Sequence, residues 1–157
     1  MAGSRLTGVF DGFVSRIPWL LRRSVLGHPL FFVLGESGSG KTTLIDQNAR
    51  WQGQSYRFHP SHTDDPLLQI YLGARSLVLE FSSTLLYETS PGSYRAMRRL
   101  WKKLPTTPTP VLVIDAGQLI HPQPDRLRQY AQALFGKLEF FSELQPEPLR
   151  PIVALTH

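Results

Sequence analysis

Residues 30–43 read LFFVLGESGSGKTT and combine two signals that occur together in α/β proteins. The apolar run of residues 30–34 has the composition of a short strand that is buried on both faces. Glycines follow it at once, and residues 41–51 contain neither Gly nor Pro, which predicts a helix there. Strand, loop and helix in this order are the first half of a βαβ unit.

The loop between this strand and helix matches the phosphate-binding pattern of two glycines separated by four residues and followed by Lys and a hydroxyl residue. It consists of Gly35, Glu36, Ser37, Gly38, Ser39, Gly40, Lys41 and Thr42. Glycine permits positive φ angles and close approach of backbone N–H groups to an anion, and the following helix adds the positive end of its dipole. We expect Lys41 to contact the outer phosphates, Thr42 to offer its hydroxyl to Mg²⁺, and Thr43 to support the same site. The sequence therefore predicts binding of ATP or GTP with Mg²⁺.

The rest of the chain alternates between predicted strands and helices. Strands are predicted for residues 77–81, 111–114 and 152–155, and helices for residues 94–104 and for the segment from Pro124 to Phe141. Residues 67–72 fit either an edge strand or a helical turn, and residues 52–66 are polar and turn-rich. This alternation predicts an α/β, P-loop NTPase-like three-layer fold with a mostly parallel sheet.

The N-terminal segment, residues 1–27, is predicted to be amphipathic, basic and helical, and to precede a P-loop domain over residues 28–157. Apolar residues recur at offsets of three and four between residues 4 and 26, and Pro18 is expected to kink or restart the helix. Two interpretations stay open: the apolar face packs on the domain, or it lies on an anionic membrane surface.

Glu80 is the candidate carboxylate for catalysis beside Lys41, and for Mg²⁺ binding beside Thr42. It lies near the end of the predicted strand 77–81, where a metal-binding carboxylate of a nucleotide hydrolase belongs. Most folds of this type have Asp there, followed by a glycine turn, so hydrolysis is left open.

Several polar residues are weaker candidates for the same chemistry. Thr63 is a candidate for contacting the γ-phosphate, and Asp115 ends a predicted strand at the sheet edge where α/β proteins bind ligands. Asp115 is equally suited to capping a turn. Ser82, Ser83 and Thr84 are additional hydroxyl candidates.

Composition excludes several classes of protein. The chain has 157 residues, enough for one domain, and a net charge of +5 with 17 basic and 12 acidic residues. It has no cysteine, which excludes disulfides and thiolate metal sites, and the spacing of its five histidines makes no zinc pattern. Apolar runs are too short to span a bilayer, and no secretory signal is evident. The basic residues between 95 and 103 fit a solvated helix face, and no nucleic-acid partner is expected.

Three segments together resemble the N-terminal cytoplasmic domain of the IcmF/TssM family, the large inner-membrane component of the bacterial type VI secretion system. The segments are IPWLLRR at residues 17–23, FFVLGESGSGKTTL at residues 31–44 and PVLVIDAGQLI at residues 110–120. The resemblance implies a domain of a longer, membrane-anchored protein on the cytoplasmic side of the inner membrane, in a complex with other secretion subunits.

The chain departs from the family pattern at two places. The family's Asp-Thr-Ala-Gly appears here as Glu80-Phe81-Ser82-Ser83, which bears on metal binding and hydrolysis. The family's Thr-Lys-x-Asp base-recognition pattern would begin at Thr156, where His157 replaces Lys, so the choice between ATP and GTP is not readable.

Three functions are compatible with the sequence. The first is a nucleoside triphosphatase, and the second is a scaffold domain of a membrane complex without turnover. The third is a phosphoryl-transferring kinase, which ranks last because no Arg-rich lid is evident.

Overall fold

The computed structural model describes residues 2–51, 55–58 and 66–156. Its strands are β1 (Leu30–Gly35), β2 (Ser55–Phe58), β3 (Leu68–Gly73), β4 (Leu77–Phe81), β5 (Thr109–Asp115) and β6 (Ile152–Thr156). Its helices are α1 (Ala2–Arg16), α2 (Trp19–Leu26), α3 (Lys41–Trp51), α4 (Ser83–Tyr87), α5 (Pro91–Lys103), α6 (Ala116–Ile120) and α7 (Pro124–Ser142).

The strands form one sheet in the order β2-β3-β4-β1-β5-β6. Strands β4, β1, β5 and β6 are parallel, whereas β3 is antiparallel to both β2 and β4. The prediction of an α/β fold with a mostly parallel sheet is confirmed. The parallel strands end at one edge, and the loop after β1 lies at that edge, where ligands of open α/β folds bind.

The core centres on β1, which lies between β4 and β5 and is nearly all buried. Aromatic side chains fill one face of the sheet at this point. The ring centroid of Phe32 lies 4.9 Å from that of Phe141 and 5.4 Å from that of Trp101. Rings at such distances contribute beyond simple area burial, so this cluster fixes the position of α5 and α7 on the sheet.

The N-terminal segment divides at Pro18 into two helices with different surroundings. In α1, Leu6, Phe10, Phe13 and Ile17 lie in the same hydrophobic core as the sheet. The apolar face of α1 therefore packs on the domain, the first of the two interpretations left open above. Helix α2 has no buried residue.

Three short elements were not predicted, and one ambiguous segment is now assigned. Residues 67–72 correspond to strand β3, which forms the antiparallel partner of β4. The additional elements are β2, α4 and α6, each of five residues or fewer. Strand β5 begins at Thr109, two residues before the predicted start, and includes Pro110.

No helix in the described ranges is long and apolar enough to cross a membrane.

Candidate phosphate-binding site

The loop between β1 and α3 depends on glycine at several positions. Gly38 and Gly40 have φ angles of +76° and +82°, which side-chain-bearing residues rarely adopt. A Cβ atom on Gly40 would lie 3.2 Å from the Cβ of Thr156. A Cβ atom on Gly35 would lie 2.8 Å from the carbonyl oxygen of Val113. Steric contacts, as well as the turn itself, therefore require the glycines of the motif.

The loop presents backbone N–H groups at the start of a helix. Among the described residues, no carbonyl oxygen accepts a hydrogen bond from the N–H of Gly38 or Gly40, whereas the N–H of Ser39 donates to Glu36 at 3.2 Å. Helix α3 begins at Lys41, so the first amides of the helix are directed to the same region. This arrangement is suited to an anion.

Lys41 is the cation of the loop. Its side chain is buried, and its Nζ donates to the carbonyl oxygens of Gly35 at 2.9 Å and of Glu36 at 2.6 Å. Burial lowers the pKa of the Lys41 ammonium, and the carboxylates of Glu80 and Glu36 oppose that change. The ammonium therefore lies on the loop, held by acceptors that a phosphate could replace.

Glu80 and Thr42 meet beside the loop. The hydroxyl of Thr42 donates to the Glu80 carboxylate, at 3.0 Å from Oε1 and 3.3 Å from Oε2. The hydroxyl of Tyr71 donates to Oε2 of Glu80 at 2.7 Å, and burial, together with this bond, raises the pKa of the Tyr71 hydroxyl. Carboxylate and hydroxyl oxygens are the hard ligands that Mg²⁺ prefers, so the donor set fits this metal.

A cavity of about 360 Å³ lies between these groups. Its lining includes Gly40, Lys41, Thr42, Glu80 and Ser82. Thr43 and Ser83 also line this cavity. Ser82 has a structural role as well, because its hydroxyl accepts a hydrogen bond from the N–H of Leu85 at the start of α4. Thr84 is exposed on α4.

The side chain of Glu36 faces a different environment on the opposite side of the loop. Its carboxylate accepts hydrogen bonds from the hydroxyl of Tyr87 and, at 2.6 Å, from Nε2 of Gln118, and lies 3.5 Å from Nη2 of Arg126. Burial acts to raise the pKa of Glu36, but these three partners together lower it. The ligand-binding role predicted for Glu36 stays a prediction, and its carboxylate joins the loop to α4, α6 and α7.

A second cavity, of about 240 Å³, lies on this side of the loop. Ser37 and Gly38 line both cavities, so the tip of the loop separates them. Asp115, Gln118 and Arg126 line the second one.

The remaining sequence candidates have other roles or lie outside the described ranges. Asp115 caps α6, because its Oδ1 accepts a hydrogen bond from the N–H of Gly117 at 2.9 Å. Thr63, His59 and His62 lie outside the described residues. In the part of the chain that the structure describes, no group of three His, Cys, Asp or Glu residues is placed to hold a metal ion.

Sequence reasoning missed the residues that hold the loop from a distance. These are Tyr71, Tyr87, Gln118, Arg126 and Thr156. The hydroxyl of Thr156, at the end of β6, donates to the carbonyl oxygen of Ser39 at 2.5 Å. For three of them the sequence gives a hint through their position. Tyr71 lies in the ambiguous segment 67–72, and Gln118 and Thr156 lie just after predicted strands.

No protein-family model and no curated protein matches the chain. Among solved structures, the chain is similar to the G domain of the FeoB iron transporter of T. maritima, with 18% identity and a TM-score of 0.45 over 82% of this chain and 71% of that one. It is also similar to an ADP-ribosylation factor-like GTP-binding protein, the small COPII coat GTPase SAR1 of Encephalitozoon cuniculi in complex with GDP. That match has 15% identity and a TM-score of 0.38 over 96% of this chain and 75% of that one. At these identities and TM-scores, neither likeness identifies a ligand for this chain.

Proposed function

We propose that this chain binds the polyphosphate of a nucleoside triphosphate together with Mg²⁺. The observation that carries the proposal is the convergence of three features on one cavity: the glycine loop, the Lys41 ammonium and the Glu80 carboxylate that contacts Thr42. The backbone amides and Lys41 would hold the phosphates, and Thr42 with Glu80 would hold the metal. Bound Mg²⁺ would neutralise charge on the phosphate oxygens.

Lys41 would change its partners when the ligand binds. Its two carbonyl acceptors are neutral, and phosphate oxygens are charged acceptors that form stronger hydrogen bonds. The preformed position of the ammonium lowers the cost of this exchange, because the side chain is already ordered.

Turnover is a separate proposal with two versions. In the first, the domain hydrolyses the nucleotide, and Glu80 supports the metal or the attacking water. In the second, it binds without turnover and serves as a scaffold. The second version is favoured by the sequence after β4. Most folds of this type have a glycine turn there, whereas this chain has Ser82, whose hydroxyl caps α4.

The test of binding is titration of a fluorescent ATP or GTP analogue with and without Mg²⁺. Lys41→Ala should abolish most of the affinity, and Lys102→Ala, which removes an exposed lysine from the end of α5, is the matched control. Equal affinity of the wild type and Lys41→Ala would overturn the proposal. Phosphate release measured on the same samples, with Glu80→Ala beside the wild type, separates hydrolysis from binding alone.

The resemblance to the IcmF/TssM family supports a proposal about cellular context. In this proposal the chain is the cytoplasmic domain of a type VI secretion membrane-complex protein at the inner membrane. The supporting observations are the three sequence segments at residues 17–23, 31–44 and 110–120. Two-hybrid assays of this chain against the other inner-membrane subunits test the proposal, and absence of any interaction in both orientations would count against it.

A further inference from the structure

The sheet separates two surfaces of the molecule. The loop of residues 35–42, which we call the phosphate loop after its proposed ligand, lies where the parallel strands end, together with the connections to α4 and α6. At the opposite edge, the chain enters β1, β4, β5 and β6. We call this surface the amino edge and define it as α2 with residues 74–76, 102–108 and 143–151.

Helix α2 exposes large apolar side chains at the amino edge. Trp19 is 76% exposed, Leu20 is 70% exposed and Leu21 is 54% exposed. Three consecutive apolar residues of this size are unusual on a protein surface, where single exposed apolar residues are normal. The helix has no buried residue, so packing on the domain does not account for them.

The charge around these residues is positive. No acidic residue occurs between Asp11 and Glu36, and Asp11 forms an ion pair with Lys103 at 2.6 Å. The acidic residues of the amino edge are Glu143 and Glu147, both exposed. Asp11 balances the charge of Lys103. The remaining exposed basic residues of the amino edge are Arg22, Arg23, Arg75, Lys102 and Arg150. Against the two glutamates they leave an excess of three positive charges.

We infer that the amino edge docks on the surface of an anionic lipid bilayer, with Trp19, Leu20 and Leu21 at the boundary of headgroups and acyl chains. Tryptophan and leucine next to arginine, in a helix that has no acidic residue, are the composition of helices that lie in a membrane interface. A nucleic acid would use the arginines but would leave the leucines exposed. The inference is independent of the proposed nucleotide binding.

This docking leaves the phosphate loop accessible. The loop and its cavity lie at the edge of the sheet opposite to the strand starts, so a bilayer at the amino edge does not cover them. Binding is expected to be weak and reversible, because one short helix with a few arginines is a single interfacial signal.

The experiment is sedimentation of the full 157-residue chain with large vesicles of phosphatidylcholine, alone or mixed with phosphatidylglycerol. We expect the wild type to bind the mixed vesicles and not the zwitterionic ones. Trp19→Ser/Leu20→Ser should lower the partition coefficient at least about tenfold. Arg23→Ala/Arg75→Ala should lower it by about 25-fold, since each arginine near an anionic surface contributes about fivefold.

A matched control removes two exposed arginines from the other edge of the sheet. Arg95→Ala/Arg128→Ala makes the same change in net charge near the starts of α5 and α7, and should alter partitioning by less than about threefold. Circular dichroism verifies folding of all variants, which change only exposed side chains.

Three results would overturn the inference. They are equal binding to both kinds of vesicle, unchanged binding of the Trp19→Ser/Leu20→Ser variant, and no binding of the wild type. Binding of an RNA oligonucleotide in place of vesicles, lost with Arg23 and Arg75, would assign the surface to nucleic acid instead.

Discussion

The two sides of the phosphate loop carry one glutamate each, and the two carboxylates are held differently. Glu80, on the β4 side, accepts hydrogen bonds from two neutral hydroxyls, those of Thr42 and Tyr71. Glu36, on the side of α6 and α7, is held by two neutral donors and by the guanidinium of Arg126. Both side chains are buried.

The difference lies in which partner each carboxylate could exchange. Glu80 borders the cavity that contains Lys41 and Thr42, and its hydroxyl partners leave oxygen lone pairs for a cation. Glu36 already has a cationic partner and joins the loop to three helices. Burial and proximity to the loop are therefore common to the two carboxylates, and their existing partners distinguish them.

The largest effect is expected from Lys41→Ala, which removes the cation between the two carboxylates. Nucleotide affinity should fall by about 100-fold, because hydrogen bonds to charged groups are the strong ones. Fluorescence titration measures the change, and Lys102→Ala should remain within about twofold of the wild type.

The next effect is expected from Glu36→Gln, which removes the carboxylate on the side of α6 and α7. The variant loses the ion pair with Arg126 and the charge on its bonds to Tyr87 and Gln118, which should lower the free energy of unfolding by about 2 kcal/mol. Urea denaturation measures the loss. A stability equal to the wild type would show that the network around Glu36 does not hold the loop.

A smaller effect is expected from Glu80→Gln, which removes the carboxylate on the β4 side. Glutamine preserves the size of the side chain but removes the charge that Mg²⁺ needs, so the gain in nucleotide affinity on adding Mg²⁺ should fall about tenfold. Affinity without Mg²⁺ should change little. Titrations with Mg²⁺ and with EDTA separate the two quantities, and an unchanged response to Mg²⁺ would remove Glu80 from the metal site.

The smallest effect is a pH dependence of the stability that Glu36 contributes. The pKa of Glu36 is lower in the folded protein than its ordinary value of 4.5, so the folded state binds this proton less tightly than the unfolded state does. The stability that Glu36 adds is complete above pH 4.5 and is lost as pH falls through the lowered pKa. Denaturation of the wild type and Glu36→Gln between neutral and acid pH should converge. Parallel curves would contradict this assignment.

The sequence predicted the elements whose signals are local. A buried strand next to a glycine loop and a helix occupies one short stretch, and each part constrains the next. The same holds for the break at Pro18 and for the position of Glu80 at the end of β4.

The missed elements depend on single capping bonds or on distant pairing. Helices α4 and α6 have five residues each, which is too few to show a helical period in the sequence. They begin after the side-chain caps Ser82 and Asp115. Strand β2 lies in a polar stretch, and its pairing with β3 supplies the signal that its own residues lack.

The partners of Glu36 could not be predicted for a geometric reason. Tyr87, Gln118 and Arg126 lie 51, 82 and 90 residues further along the chain. Nothing in the local pattern around Glu36 indicates which of the many Tyr, Gln and Arg side chains will reach it. That information arises only from the order of strands in the sheet.

The contact between Thr156 and the phosphate loop affects how this protein can be handled and labelled. Thr156 donates a hydrogen bond to the carbonyl oxygen of Ser39, and its side chain packs against the backbone of Gly40. The end of β6 therefore lies directly against the loop. An affinity tag or fluorophore attached beside it would pull on the loop directly. Labels are better placed away from the end of β6.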